Sequence, residues 1–203
     1  MSAAITITPR FNLSQKSYLF SRPPIWKSQY PVLQNRLPAS LQSWLRETGS
    51  LTKRLRGIYG GDFGVKVLYH CWKPAFIDEC RLLDLAPARF QLIREVLLHA
   101  HGRPLVLART ILPEQTIKIA NRNLSHLGNR PLGEVIFAYP DLERRRRQFS
   151  CAETGIWSPR LQADMAMAQA IWGRRTLYAI HGQPLLVAEF FLPGMPGGLM
   201  PEA

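Results

Sequence analysis

Two charges in this chain fall where the hydrophobic pattern leaves no obvious water for them. In the segment Phe90–Leu98, strand alternation puts Phe90, Leu92, Arg94, Val96 and Leu98 on one face. Four of these five are apolar, so Arg94 interrupts a hydrophobic face. A guanidinium keeps its proton and needs acceptors wherever it is buried. In Pro184–Leu192, one face carries Leu185, Val187, Glu189 and Phe191, and the other Leu186, Ala188, Phe190 and Leu192. Both faces are apolar, which predicts a central strand, and Glu189 is its one charge. Two arrangements satisfy these residues. In the first, Arg94 pairs with Glu189 or with another structural carboxylate. In the second, the two line a buried pocket with a cation at one end and a carboxyl group at the other. Such a pocket suits a small acid bearing a polar group across its ring.

Two helix starts add weaker signals. Leu51 follows Ser50, a good N-cap, and Leu132 follows Pro131, which suits a first helical turn. Backbone N–H groups there have no intrahelical acceptor and attract anions, although every helix start shares this property. Other chemistry finds little support. Cys71, Cys80 and Cys151 form no CxxC, so reduced thiols in a cytoplasmic protein are expected. A zinc site from His70, Cys71 and Cys80 would need an unusual spacing, and neither metal nor other cofactor is expected. The chain has no Gly-rich phosphate loop, nucleophile elbow or HExxH. Trp72 and Trp172 read as packing residues, and His99 and His101 as exposed flanks of a turn.

These residues need elements to position them. Residues 1–37, rich in proline with Ser, Gln and Asn between, read as an irregular extension that either drapes over the core through Trp26 or Tyr30 or is mobile. Helical spacing predicts Pro38–Glu47, closed by Gly49, and a second short helix over Leu51–Ile58. Strands are expected at Val65–Trp72, Phe90–Ala100 and Leu105–Leu112, the last two joined at His101-Gly102-Arg103-Pro104. A helix is expected over Ile117–Leu127, another over Pro131–Phe137, and a strand over Arg145–Cys151. Ala170–Ile180 and Pro184–Leu192 form a closing hairpin around His181-Gly182-Gln183, and residues 194–203 form a Pro/Gly-rich tail. The fold class is α+β, with one antiparallel sheet and short helices on its face and at its ends.

Composition bounds the partners. The 203 residues are 46% hydrophobic and 20% charged, a globular balance. No apolar run approaches the ~20 residues needed to span a bilayer, and Met1–Phe20 lacks a signal-peptide core. The net charge of +12 attracts anions, but it is dense only at Arg144–Arg147, which reads as a solvated strand edge or loop. No nucleic-acid-binding signature accompanies it, and the Pro38–Ile58 helix pair is too short to read DNA. No nucleic-acid partner is expected, and a weak association with anionic membrane surfaces stays open.

The motifs taken together resemble the chorismate pyruvate-lyase family of ubiquinone synthesis. They run in order through Gly49-Ser50-Leu51-Thr52-Lys53-Arg54, Leu92–Leu98, Gly102-Arg103-Pro104 and Ala108–Pro113. They continue through Leu127-Gly128, Arg130-Pro131-Leu132-Gly133, Trp172-Gly173-Arg174-Arg175, Gly182–Leu186 and Glu189–Pro193, within a domain spanning 38–193. The resemblance implies a single antiparallel sheet with helical flaps over a buried ligand. It also implies a monomeric carbon–oxygen lyase without cofactor, converting chorismate into 4-hydroxybenzoate and pyruvate. Arg94 would bind the ring carboxylate with the amides of Leu51 and Leu132, and Glu189 would meet the ring hydroxyl. Catalytic roles would fall to Arg94 and Glu189. The chain departs from shorter members in its N-terminal extension, in Tyr69-His70-Cys71-Trp72, and in extra residues between Gly155 and Ile171.

A rival reading is a non-catalytic sensor of small aromatic acids, because the same fold resembles effector-binding domains of bacterial regulators. The leading 37 or so residues are too short for the DNA-binding domain such regulators carry.

Overall fold

The computed structural model describes residues 16–28, 37–120 and 124–196. Six antiparallel strands form one sheet: β1 (Phe63–Pro74), β2 (Phe90–Ala100), β3 (Arg103–Leu112), β4 (Glu143–Ala152), β5 (Ile171–Ile180) and β6 (Gln183–Phe191). Their spatial order is β1-β2-β3-β6-β5-β4. The α+β class with a single antiparallel sheet is therefore what the chain adopts. β6 lies at the centre, as its two apolar faces demand, and the arginine run Arg144–Arg147 lies on the edge strand β4. Both hairpin turns use the same device. His101 and Gly102 take φ of 49° and 73°, and His181 and Gly182 take 46° and 76°. Two successive positive φ values match the twist of the flanking strands, which explains why His-Gly recurs.

Each sheet face is covered. On one face pack α1 (Ala39–Arg46), α2 (Leu51–Tyr59), α4 (Glu114–Ile119) and α5 (Leu132–Ile136). On the other pack α3 (Ile77–Leu83), α6 (Pro159–Asp164) and the segment around Tyr18-Leu19-Phe20. That segment is fixed by a buried charge on β2. Glu95 is fully buried and accepts hydrogen bonds from the Ser17 hydroxyl (2.6 Å) and from the amides of Tyr18 (2.6 Å) and Leu19 (3.1 Å). Arg109 donates to Glu95 at 2.6 Å and to both Glu79 oxygens at 2.7 and 2.9 Å. Burial works against the Arg109 charge, yet the two carboxylates outweigh it and hold this guanidinium firmly protonated.

Some elements differ from expectation. α4 starts at Glu114 and ends at Ile119, not over 117–127. Pro113 takes an extended N-cap conformation, and its carbonyl accepts the Ile117 amide at 3.1 Å, so the helix begins there. The helix expected beyond Ala120 falls partly on 121–123, outside the described residues. α3 and α6 had no periodicity long enough to reveal them; the Glu79 carboxylate accepts the Phe76 amide and Ser158 caps Leu161. Trp72 is 42% exposed, near the free edge of β1, whereas Trp172 is buried. Of the two anchors expected for the leading segment, Trp26 packs against Phe190, and Tyr30 lies outside the described residues. His70, Cys71 and Cys80 do not gather, and among the described residues no three His, Cys, Asp or Glu side chains could hold a metal ion.

Candidate active site

The site is built on the helix-covered face by two adjacent rows of side chains running across the strands. In one row β2, β3, β6, β5 and β4 contribute Arg94, Thr110, Val187, Thr176 and Arg147. The next row holds Val96, Ala108, Glu189, Arg174 and Phe149. Arg94 and Glu189 therefore lie two strands and two residues apart, roughly 12 Å between Cα atoms from standard strand spacings. They do not pair with each other. Between them lies a pocket floored by Thr110 and Val187 and roofed by Leu51, Thr52, Leu132 and Gly133. All four residues singled out from the sequence, Arg94, Glu189, Leu51 and Leu132, line this one pocket.

Arg94 is 2% exposed and has no carboxylate partner among the described residues. It donates to the carbonyls of Gly128 (2.9 Å) and Arg130 (3.2 Å), in the loop leading into α5. Its Nε is buried with no hydrogen-bond partner. Burial alone lowers the guanidinium pKa to about 10, so it remains cationic at neutral pH. A buried cation with an unused donor provides strong attraction for an anion.

Glu189 ends the other side of the pocket. Arg174 Nε donates to Glu189 Oε2 at 2.6 Å across the β5–β6 pair. Nη1 of Arg174 donates to the carbonyls of Trp44 (2.8 Å) and Glu47 (2.7 Å), at the C-terminal end of α1. One side chain thus ties the carboxylate to the chain that leads into α2. Gly173 precedes it because a Cβ there would meet the Phe190 ring at 2.5 Å. Tyr178 also lines the pocket; burial raises its phenol pKa, and Glu189 raises it further. The residue pattern assigned no role to Arg174 or Tyr178 and placed Arg147 in a solvated run, whereas its Nη2 is buried. Arg174 and Tyr178 belong to a strand that read as ordinary hairpin, and only register brings them to Glu189.

The roof is two helix starts in contact. Ser50 caps α2 by accepting the Lys53 amide, leaving Leu51 as the first helical residue; Leu132 opens α5 after Pro131. Their first-turn amides have no intrahelical acceptors. Gly133 is required by the close approach, since a Cβ there would lie 2.9 Å from both Ser50 Oγ and Thr52 Oγ1. Outside, Arg56 pairs with Glu134 at 2.8 Å and links the two helices.

An antiparallel sheet with a small pocket enclosed beneath two helices defines a class of α+β small-molecule sites. Among solved structures the fold is similar to "PhnF C-terminal domain" (TM-score 0.52, 14% identity, 68% of this chain and 88% of that one). It is also similar to a GntR-family transcriptional regulator from Bacillus cereus (TM-score 0.51, 11% identity, 66% and 93% covered). Those similarities concern the fold. The sequence model described as "Chorismate lyase" matches residues 25–196, and the chain belongs to the chorismate lyase family, enzymes of the lyase class. A "Probable chorismate pyruvate-lyase" from Methylococcus capsulatus is 49% identical over 155 residues, covering 76% of this chain and 96% of that one. Another, from Azoarcus sp., is 39% identical over 180 residues, with 85% and 92% covered.

Proposed function

We propose that this protein is a chorismate pyruvate-lyase that converts chorismate into 4-hydroxybenzoate, the aromatic precursor for ubiquinone synthesis, and pyruvate. The observation that carries this reading is the buried Arg94 with an unused donor, facing across one pocket towards Glu189. The ring carboxylate binds Arg94, with the first-turn amides of Leu51 and Leu132 completing its shell. The C4 hydroxyl binds Glu189, whose orientation Arg174 fixes.

The chemistry asks little of such a site. The C3–oxygen bond breaks, and its electron pair leaves with the oxygen, which becomes the carbonyl of pyruvate. The C4–H electrons close the aromatic ring, and the enolpyruvyl methylene takes up a proton to become the methyl group. Aromatisation drives the step, so orientation, exclusion of water and modest charge stabilisation carry the catalysis. Arg94 and Glu189 hold the two ends of the ring, and α2 and α5 close over it. Three cysteines at scattered spacings, with no CxxC, suit a reducing compartment such as the cytoplasm.

The test is incubation of the pure protein with chorismate, with and without exhaustive chelation. Release of pyruvate and 4-hydroxybenzoate in equal amounts is expected under both conditions. Chorismate binding without turnover would favour a sensor, and turnover lost on chelation and restored by a divalent ion would overturn the metal-free chemistry.

A further inference from the structure

Chorismate is a dianion, and the groups assigned so far answer only its ring carboxylate and its hydroxyl. The second carboxylate, on the enolpyruvyl ether at C3, sits beside the C4 hydroxyl. Whatever binds it must therefore stand next to Glu189. We infer that Arg147 and Arg174 form the receptor for this second carboxylate, an inference that rests on the proposed lyase reading.

Three observations carry it. The first is position. Arg147 and Arg94 lie at opposite ends of one row across five strands, with Thr110, Val187 and Thr176 between them. Arg174 lines the pocket at the Arg147 end. The second is an unused donor. Arg147 Nη2 is buried without a hydrogen-bond partner, while Nε donates to Thr176 Oγ1 at 3.3 Å. Arg174, its electrostatic neighbour, is held in place by Nε on Glu189 and Nη1 on the α1 carbonyls. The third is charge. Arg147 and Arg174 face one carboxylate in the pocket, Glu189, and Tyr178 beside them is a neutral phenol near pH 7. Glu47, also near Arg174, is occupied by the Gly49 amide and Arg54. With Arg144 also acting on Arg147, this end of the site is net positive, as is the Arg94 end, which suits the two carboxylates of the substrate. Burial and the neighbouring Arg174 both disfavour the Arg147 charge, so an incoming carboxylate would relieve the cluster.

The product 4-hydroxybenzoate lacks the enolpyruvyl group, and that difference supplies the test. Chorismate kinetics and 4-hydroxybenzoate affinity are measured on the full chain for the wild type, Arg147→Gln and Arg147→Lys, with folding checked by circular dichroism. Arg147→Gln is expected to raise KM for chorismate by about tenfold or more, with product Kd held within about twofold, and Arg147→Lys to fall between. An unchanged KM in Arg147→Gln, or an equal loss of chorismate and product affinity, overturns the receptor while leaving the lyase intact. If Arg147→Gln does not fold, Arg147→Lys is read by the same two constants, and equal effects on both overturn the assignment. A wild-type protein that releases no pyruvate sinks the function and the receptor together.

Discussion

Arg174 and Glu189 meet side chain to side chain at 2.6 Å, and the same guanidinium holds the carbonyls of Trp44 and Glu47. This relationship means Glu189 is oriented from below by the sheet rather than by Arg94. It also couples the carboxylate to the connection between α1 and α2, where the Leu51 roof begins. A charge in one hydrophobic strand is thereby stabilised by a partner on the next, and the pocket keeps Arg94 free of carboxylates among the described residues.

Glu189 held in this way suits positioning of the C4 hydroxyl. Glu189→Gln keeps the shape and hydrogen-bonding ability but cannot ionise. We expect it to retain turnover within about tenfold, while Glu189→Ala loses about 10²-fold or more. Equal losses in both variants would instead mark Glu189 as a proton carrier. Near-normal turnover in Glu189→Ala would remove it from the site.

Arg94→Ala should weaken 4-hydroxybenzoate binding by on the order of 2–5 kcal/mol, since a charge-assisted contact is lost in a buried site. Arg94→Lys should recover only part, because an ammonium cannot reproduce the planar fork. Calorimetric titration of folded variants decides it, and an unchanged product affinity in Arg94→Ala would falsify the anchoring role.

Gly133→Ala places a methyl group 2.9 Å from Ser50 Oγ and Thr52 Oγ1, at the seam between α5 and α2. Overpacking of this kind costs about 1–3 kcal/mol. A lower Tm together with faster product release is expected, as the seam opens. A variant with both quantities unchanged would show that the two helices do not close the pocket jointly.

Glu47 gives an acid-sensitive point at the connection between α1 and α2, the hinge of the roof. The Gly49 amide, donating at 2.8 Å, lowers its pKa below 4.5; burial opposes this, and Arg54 adds to the lowering. A carboxyl group with a depressed folded pKa contributes stability above its unfolded pKa, and loses it as pH falls through the folded value. Tm should therefore drop between about pH 4.5 and lower values, and Glu47→Gln should flatten that part of the profile. Parallel Tm profiles for the two proteins would rule the hinge out as a source of acid sensitivity.

The sequence by itself determined the strands, both His-Gly hairpins and the two misfit charges. Alternation with a period of two assigns each residue to a face, and turn residues with positive φ mark where chains reverse. Leu51 and Leu132 follow an N-cap and a proline, a position every helix start shares, and only the family resemblance singled them out. What periodicity cannot give is the neighbour across the sheet, because register is set by pairing between distant segments. The sequence therefore left open whether Arg94 pairs with Glu189, and the strand order sets them two strand positions and two residues apart, with β3 between. It gave Arg174 no role and read Arg147 as part of a solvated edge, since their partners come from α1, β5 and β6. Glu95 was not singled out by the pattern, and it is buried because the segment around Tyr18 covers that face, where Arg109 and the Tyr18 and Leu19 amides satisfy it. Burial of a charge is decided by what packs over it, and only the tertiary structure brings those groups together.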